Sequence, residues 1–276
     1  MTAHVLYDGL AMGESPRWHD GALWVCDWLA GEVRTIDDAG RSSVVRRIEG
    51  LPFSVDWLPD GREVYTTNTG VVVGVVAGVD LAPYGGSGRP WNEIVVDPAG
   101  RVYVNMPGSM PGEEPRPGIA AVITPDGVTR DVAEDLWFPN GMAVTPDGLT
   151  LIVAESHAQR LTAFTITDDG SLTDRRVWAE LGPGAAPDGI CLDANGAVWY
   201  ADVPNRHCRR VAEGGQVLDT VEVDRGCFAC MLGGPDGRTL FIVATDWERL
   251  DWQRGGGDRT GQVLTFRASS PRAGRP

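Results

Sequence analysis

The chain has 276 residues, 42% of them hydrophobic, with 36 Gly and 19 Pro; it can bury a large core and is rich in turn formers. All 24 basic residues are arginine against 38 acidic ones, a net charge of −14. Such a surface repels phosphate backbones and anionic lipid, which argues against nucleic-acid and membrane partners and for a small-molecule ligand.

In chain order the sequence reads as short strands punctuated by turns. Residues 14–21 give an apolar run closed by Asp20 and Gly21, followed by strand patterns at 22–27 and 31–36. Residues 53–58, a Pro-Asp-Gly turn at 59–61, and runs at 63–67 and 71–76 repeat that plan. The third unit has runs at 92–96, 101–105 and 119–123; between the last two, residues 106–118 are rich in Pro and Gly and suit a rim or lid loop. The stretch WFPNGMAVTPDG at 137–148, with runs at 150–155 and 160–166, makes the fourth. Runs at 188–192, 197–202 and 209–211 make the fifth; those at 230–232, 239–245 and 262–266, with a glycine-rich loop at 255–257, make the sixth. Residues 268–276 have little to bury and read as a flexible tail of what is otherwise one domain over 1–276.

The frame of the fourth unit, a polar residue, a short apolar run and a Gly turn, recurs. Counted from the place of Asn140, it falls at Glu14, Phe53, Asn92, Asn140, Asp188 and Ala229, in steps of 39, 39, 48, 48 and 41 residues. A period of roughly 40–50 residues with about four strands each is the pattern of a β-propeller blade. The expected fold is therefore all-β, a six-bladed β-propeller of four-stranded antiparallel blades. The strand at 4–7 would join 262–266 to close the last blade.

In a propeller the six framed positions ring the channel mouth. Four of them, Glu14, Asn92, Asn140 and Asp188, carry only oxygen acceptors suited to a hard cation. Two carboxylates neutralise a 2+ charge and Asn140 adds an amide oxygen, so one divalent metal ion is expected, with Ca, Zn, Mn and Mg all admissible. Phe53 and Ala229 leave one side of the ring apolar, which puts the metal off-axis. A second polar set ends the returning strands: Asp27, Asn68, Asn105, Glu155, Asp202 and Asp246. Most of these fit blade-edge hydrogen bonding, with Asn105, Glu155 and Asp202 placed to support the metal or substrate. Trp137, Phe138, Trp91 and Trp28 can wall a pocket, and His157 can reach the mouth. No GxSxG, Walker or GxGxxG pattern is present. Five scattered cysteines, including a lone CxxC at Cys227 and Cys230, read as buried thiols in a reducing compartment. The N-terminus lacks the basic start and apolar core of a secretion signal, and the longest apolar run, 70–78, is too short for a bilayer span. These features point to the cytoplasm; oligomeric state is left open.

The pieces GESPRW at 13–18, WNEIVVD at 91–97, FPNGMAV at 138–144, APDGI at 186–190 and GGPDGRTL at 233–240 resemble the family of senescence marker protein, gluconolactonase and luciferin-regenerating enzyme. The resemblance spans nearly the whole chain. It implies a six-bladed propeller with one catalytic divalent metal held by Glu14, Asn140 and Asp188, and a substrate-contacting asparagine at Asn92. The family often has aspartate after that asparagine and arginine two residues before it; here Glu93 follows, and Arg89 stands three before, behind Pro90 and Trp91. Both count as candidate substrate-binding residues with Trp137 and Phe138.

The expected activity is metal-dependent opening of a small lactone, a carboxylic ester hydrolysis with Asp188 as base toward water and Asn92 orienting the ester oxygen. Two rival readings are a phosphotriester or ester hydrolase of the same fold, and a non-catalytic calcium-binding or docking propeller.

Overall fold

A computed structural model describes residues 2–74, 80–110, 112–250 and 258–275. The glycine-rich loop expected at 255–257 and the last two residues of the run expected at 71–76 lie outside the described residues. Six four-stranded antiparallel sheets follow one another around a channel, five of them built in chain order from the inside outward. Blade one comprises Gly13–His19, Ala22–Asp27, Glu32–Ile36 and Ser42–Arg47. The innermost strands of blades two to five are Val55–Trp57, Ile94–Val96, Pro139–Val144 and Pro187–Leu192. Blade six combines Gly226–Gly233, Thr239–Thr245 and Gly261–Arg267 with the N-terminal strand His4–Leu10, paired His4 to Thr265 and Val5 to Leu264. The two chain ends thus share one sheet, so the ring is closed by a ladder of backbone hydrogen bonds. The only helical pieces among the described residues are two short 3₁₀ turns, and no helix is long and apolar enough to cross a membrane.

The alternation seen in sequence becomes the packing between blades. Both faces of an inner strand meet a neighbouring blade, so Val95, Tyr103, Met142 and Val153 form one continuous apolar layer across blades three and four. Trp18 of blade one stacks on Phe241 of blade six, with ring centroids 5.4 Å apart and a 12° interplanar angle, which adds an aromatic contact across the seam. All five cysteines are buried free thiols, in keeping with the structural reading of the CxxC.

The C-terminal segment differs from the expectation of a tail with little to bury. Ala268 and Ser270 are buried, and the backbone crosses the ends of three blades. Arg272 N donates to Gly237 O at 2.8 Å, Ala273 N to Leu192 O at 3.1 Å, and Arg275 N to Val144 O at 2.9 Å. Sequence missed this because the hydrogen-bonding groups are backbone, which any residue supplies.

Candidate functional site

Glu14, Asn140 and Asp188 are the second residues of their inner strands, Phe53 and Asn92 stand two residues before theirs, and Ala229 falls in the middle of Gly226–Gly233. The residue before each of three of them pairs with the end of a returning strand: Gly13 with Asp27, Pro139 with Glu155, and Pro187 with Asp202. In blades one, four, five and six the register shifts at this point, between Glu14 and Arg17, Pro139 and Met142, Pro187 and Ile190, and Cys227 and Ala229. A bulge re-aims side chains that a regular pleat would alternate. Ser15, with φ 47°, absorbs part of that turn in blade one.

Close approach of the inner strands explains the glycine after Asn140 and after Asp188. A Cβ on Gly141 would lie 2.6 Å from Asp188 O and from Ile190 N, and one on Gly189 would lie 2.5 Å from Ala229 Cβ. The demand is for space. Gly141→Ala is expected to cost about 1–3 kcal/mol in urea unfolding through overpacking, and an unchanged midpoint would contradict this packing.

Of the four polar ring residues, Asn92, Asn140 and Asp188 follow one another in blades three to five, and Glu14 faces them from blade one. Asn92 Nδ2 donates to Asn140 Oδ1 at 3.4 Å, and Asn105 Nδ2 donates to Asn140 O at 2.6 Å, so both amides are fixed by neighbours. Glu14 and Asp188 are 5% and 8% exposed. Burial and then the Glu93 charge push the Glu14 carboxyl up to about 8, against the opposing pull of the Ser15 N–H and Arg17. Burial pushes Asp188 well up too, reinforced by Glu14, Glu93 and Asp202. The Oδ1 atoms of Asp188 and Asn105 are buried without a hydrogen-bond partner. Phe53 and Ala229, in blades two and six on either side of Glu14, are fully buried and apolar.

Beneath this group lies an ion pair that connects two distant motifs. Arg17 Nη2 reaches Glu93 Oε2 at 3.3 Å and donates to Ile94 O at 2.7 Å. Glu93 also accepts from Ser54 Oγ at 3.3 Å and Ile94 N at 3.2 Å, and is 5% exposed. Burial raises the Glu93 carboxyl more than Arg17 lowers it. Three buried acid groups therefore share Arg17, an arrangement that favours a cation or protons. Arg17 and Ser54 were not singled out from sequence; the signal available was an arginine within an inner strand three residues after Glu14.

The returning-strand acids are committed to backbone. Asp27 accepts from Ala11 N and Met12 N, Glu155 from Trp137 N at 2.7 Å, and Asp202 from Ala186 N at 3.3 Å. Each fixes the segment leading to a ring residue. Glu155 is also engaged by Arg160, Thr162 and Arg175, so its oxygens are filled from within its own surroundings. Trp137 is 40% exposed and Phe138 half-buried, its ring 4.6 Å from that of His157. Trp28 gives its Nε1 to Phe53 O at 2.6 Å, near the apolar side of the mouth. Trp91 is no pocket wall: it is fully buried, with Nε1 bonded to Gly86 O at 2.7 Å. Arg89 lies over the Trp91 ring and pairs at 2.5 Å with Asp131 of the outermost strand of its blade, Thr129–Leu136. Its contacts therefore run to the blade edge, and Glu93 sits below the mouth.

The donor set suits a hard cation by its chemistry: two buried carboxylates, one of them with an unpaired oxygen, and an amide oxygen, with no sulfur or imidazole. Among the described residues no three carboxylate, imidazole or thiol groups form a cage by themselves.

Known proteins of similar sequence or shape agree with this architecture. The chain is 26% identical over 285 residues to a 6-deoxy-6-sulfogluconolactonase of Pseudomonas putida, covering 96% of this chain and 94% of that one. It is 27% identical over 285 residues to a pentonolactonase of Haloferax volcanii, covering 96% and 93%. The crystal structure of a calcium-binding protein, regucalcin, from Agrobacterium tumefaciens superposes with a TM-score of 0.84 at 20% identity, over 100% of this chain and 96% of that one. The family described as SMP-30/Gluconolactonase/LRE-like region matches residues 12–246, and the chain belongs to it.

Proposed function

We propose that the protein hydrolyses a small lactone of the sugar-acid type with the help of one divalent cation. The observation that carries this reading is the pair Glu14 and Asp188, buried beside each other's charge, with one Asp188 oxygen unpaired and the Asn92–Asn140 amides alongside. Support comes also from the two lactonase relatives, and for the cation from the calcium-binding regucalcin. Glu14, Asn140 and Asp188 would hold the cation. Bound there, it supplies Lewis acidity toward a lactone carbonyl and compensates the two carboxylates.

The chain's own residues do the rest. Asp188, with a free oxygen facing the group, accepts a proton from the attacking water. Asn92 donates to the ester oxygen through an amide that Asn140 orients. Phe138 and Trp137 cover the mouth and limit bulk water. Arg89 is engaged by Asp131, so neutral donors at the mouth, in place of an arginine, meet the substrate's hydroxyl groups.

The test is a panel of aldonolactones beside phosphotriesters and open-chain esters, assayed before and after chelation and after calcium is returned. Lactone turnover that disappears with chelator and returns with calcium is expected. Turnover indifferent to chelator would sink the metal role; a loss of thermal stability without any turnover would favour a scaffold.

A pH dependence follows from Glu14. Its carboxyl rises from 4.5 to about 8 on folding without a cation, so between those values the folded chain holds a proton that the unfolded chain has lost. Stability from this group is complete below about pH 4.5 and falls as pH rises through about 8. The chelated protein is therefore expected to melt about 5 °C lower at pH 8 than at pH 6 on account of this group. Calcium should recover most of that loss, since the cation replaces the proton. Melting curves at pH 6 and pH 8, with and without calcium, check this; a calcium effect as large at pH 6 as at pH 8 would count against it.

A further inference from the structure

The channel has a second end, on the face where the inner strands turn outward. Glu14 and Trp18 lie four residues apart on one strand, which at about 3.3 Å per residue sets that end about 13 Å from the carboxylates. A cavity of about 320 Å³ opens there, lined by Trp18, Trp57 and Leu58, by Arg17 from the channel side, and by Arg272 and Arg275 of the C-terminal segment. Three arginines on one cavity contrast with a chain of net charge −14.

Their charges are only partly compensated. Arg17 is paired with Glu93, though its buried Nε has no partner. Asp56, the one acid among the described residues of the wall, already accepts Trp57 N at 2.8 Å and Val96 N at 2.7 Å. Arg272 Nη1 donates to Trp18 O at 3.1 Å and Arg275 Nη1 to Val96 O at 3.4 Å, and neither has a carboxylate ion-pair partner among the described residues. Setting Glu93 against Arg17 and Asp56 against one tail arginine leaves one guanidinium charge over. The backbone bonds that seat the tail hold both arginines in place before any ligand arrives, which lowers the ordering cost of binding.

We propose that this end of the channel binds a small organic oxyanion, its carboxylate or phosphate gripped by Arg272 and Arg275 and its apolar body set against Leu58 and the His19 ring that lies flat on Trp57. Guanidinium forks match such groups in two-point geometry, and the volume fits a small ligand.

Calorimetric titration of the full chain with inorganic phosphate and, separately, with benzoate at constant ionic strength tests the site. Saturable one-to-one binding of either is expected, the tighter of the two identifying the preferred group. Arg272→Gln with Arg275→Gln should weaken it at least 10-fold, while lactone turnover at the far end stays as in the unaltered chain. Labelling the unaltered chain with an arginine-specific dicarbonyl gives a readout that no folding defect can disturb. The bound anion should protect Arg272 and Arg275 but not the exposed Arg41. Absence of saturable binding by both probes, equal binding by a folded double variant, or unprotected tail arginines would overturn the proposal.

Discussion

Asp188→Asn is expected to lower kcat/KM for an aldonolactone by about 10³-fold, the combined scale of losing a general base and a charged group at the reacting centre. The substitution keeps the size and the amide can still fill the space, so folding should survive. What changes is charge and basicity. Asp188 is 8% exposed, has an unpaired oxygen, and is pushed up by burial and by Glu14 and Glu93. An amide there relieves that repulsion, so the variant should be at least as heat-stable as the parent without cation, yet bind calcium more weakly. Measuring calcium content beside kcat separates the two roles. Loss of turnover in a protein saturated with calcium points to the base; loss that calcium excess repairs points to the ligand. A variant with full calcium and full activity ends the assignment of Asp188 to either role.

The second large effect is on stability. Arg17→Met removes the only guanidinium beside Glu93 among the described residues and leaves a carboxyl that is 5% exposed facing Glu14 and Asp188. Breaking a buried pair by removing one member costs about 3–5 kcal/mol, more than the pair itself contributes, because the survivor has neither water nor partner. Arg17→Met combined with Glu93→Gln removes both charges and should recover most of that loss. The single variant's defect should also shrink in acid. Glu93 is already raised by burial, and without Arg17 it rises further, so below the ordinary glutamate range both folded and unfolded chains carry the proton and the penalty vanishes. Urea unfolding of the parent, both single variants and the double variant at pH 4.5 and pH 7.5 completes the cycle. A pH-independent loss, or a double variant no better than Arg17→Met, would show that Arg17 acts by packing alone.

The sequence by itself determined the repeat, and with it the blade count and the closing strand, because these rest on local chemistry. Asp-Gly and Asn-Gly turns and period-2 alternation recur wherever a blade needs them, and six equal registers placed Glu14, Asn92, Asn140 and Asp188 at one end of the inner strands. Tertiary structure decided what each of these side chains meets. Arg17 and Glu93 are 76 residues apart, and nothing local to either motif shows that they share a channel. A one-residue shift moves a side chain to the other face of a strand, so the bulges after the ring positions settle orientation in a way that alternation alone cannot. Arg89, close in sequence to Asn92, is drawn to Asp131 at the blade edge. Glu155 and Asp202, which by position alone might have served the site, spend their oxygens on the N–H groups leading into the ring. The C-terminal segment, polar and featureless as a sequence, gains its place from backbone bonds to Gly237, Leu192 and Val144. Periodicity is written in the order of residues, whereas the pairing of buried charges depends on which blades the closed ring sets face to face.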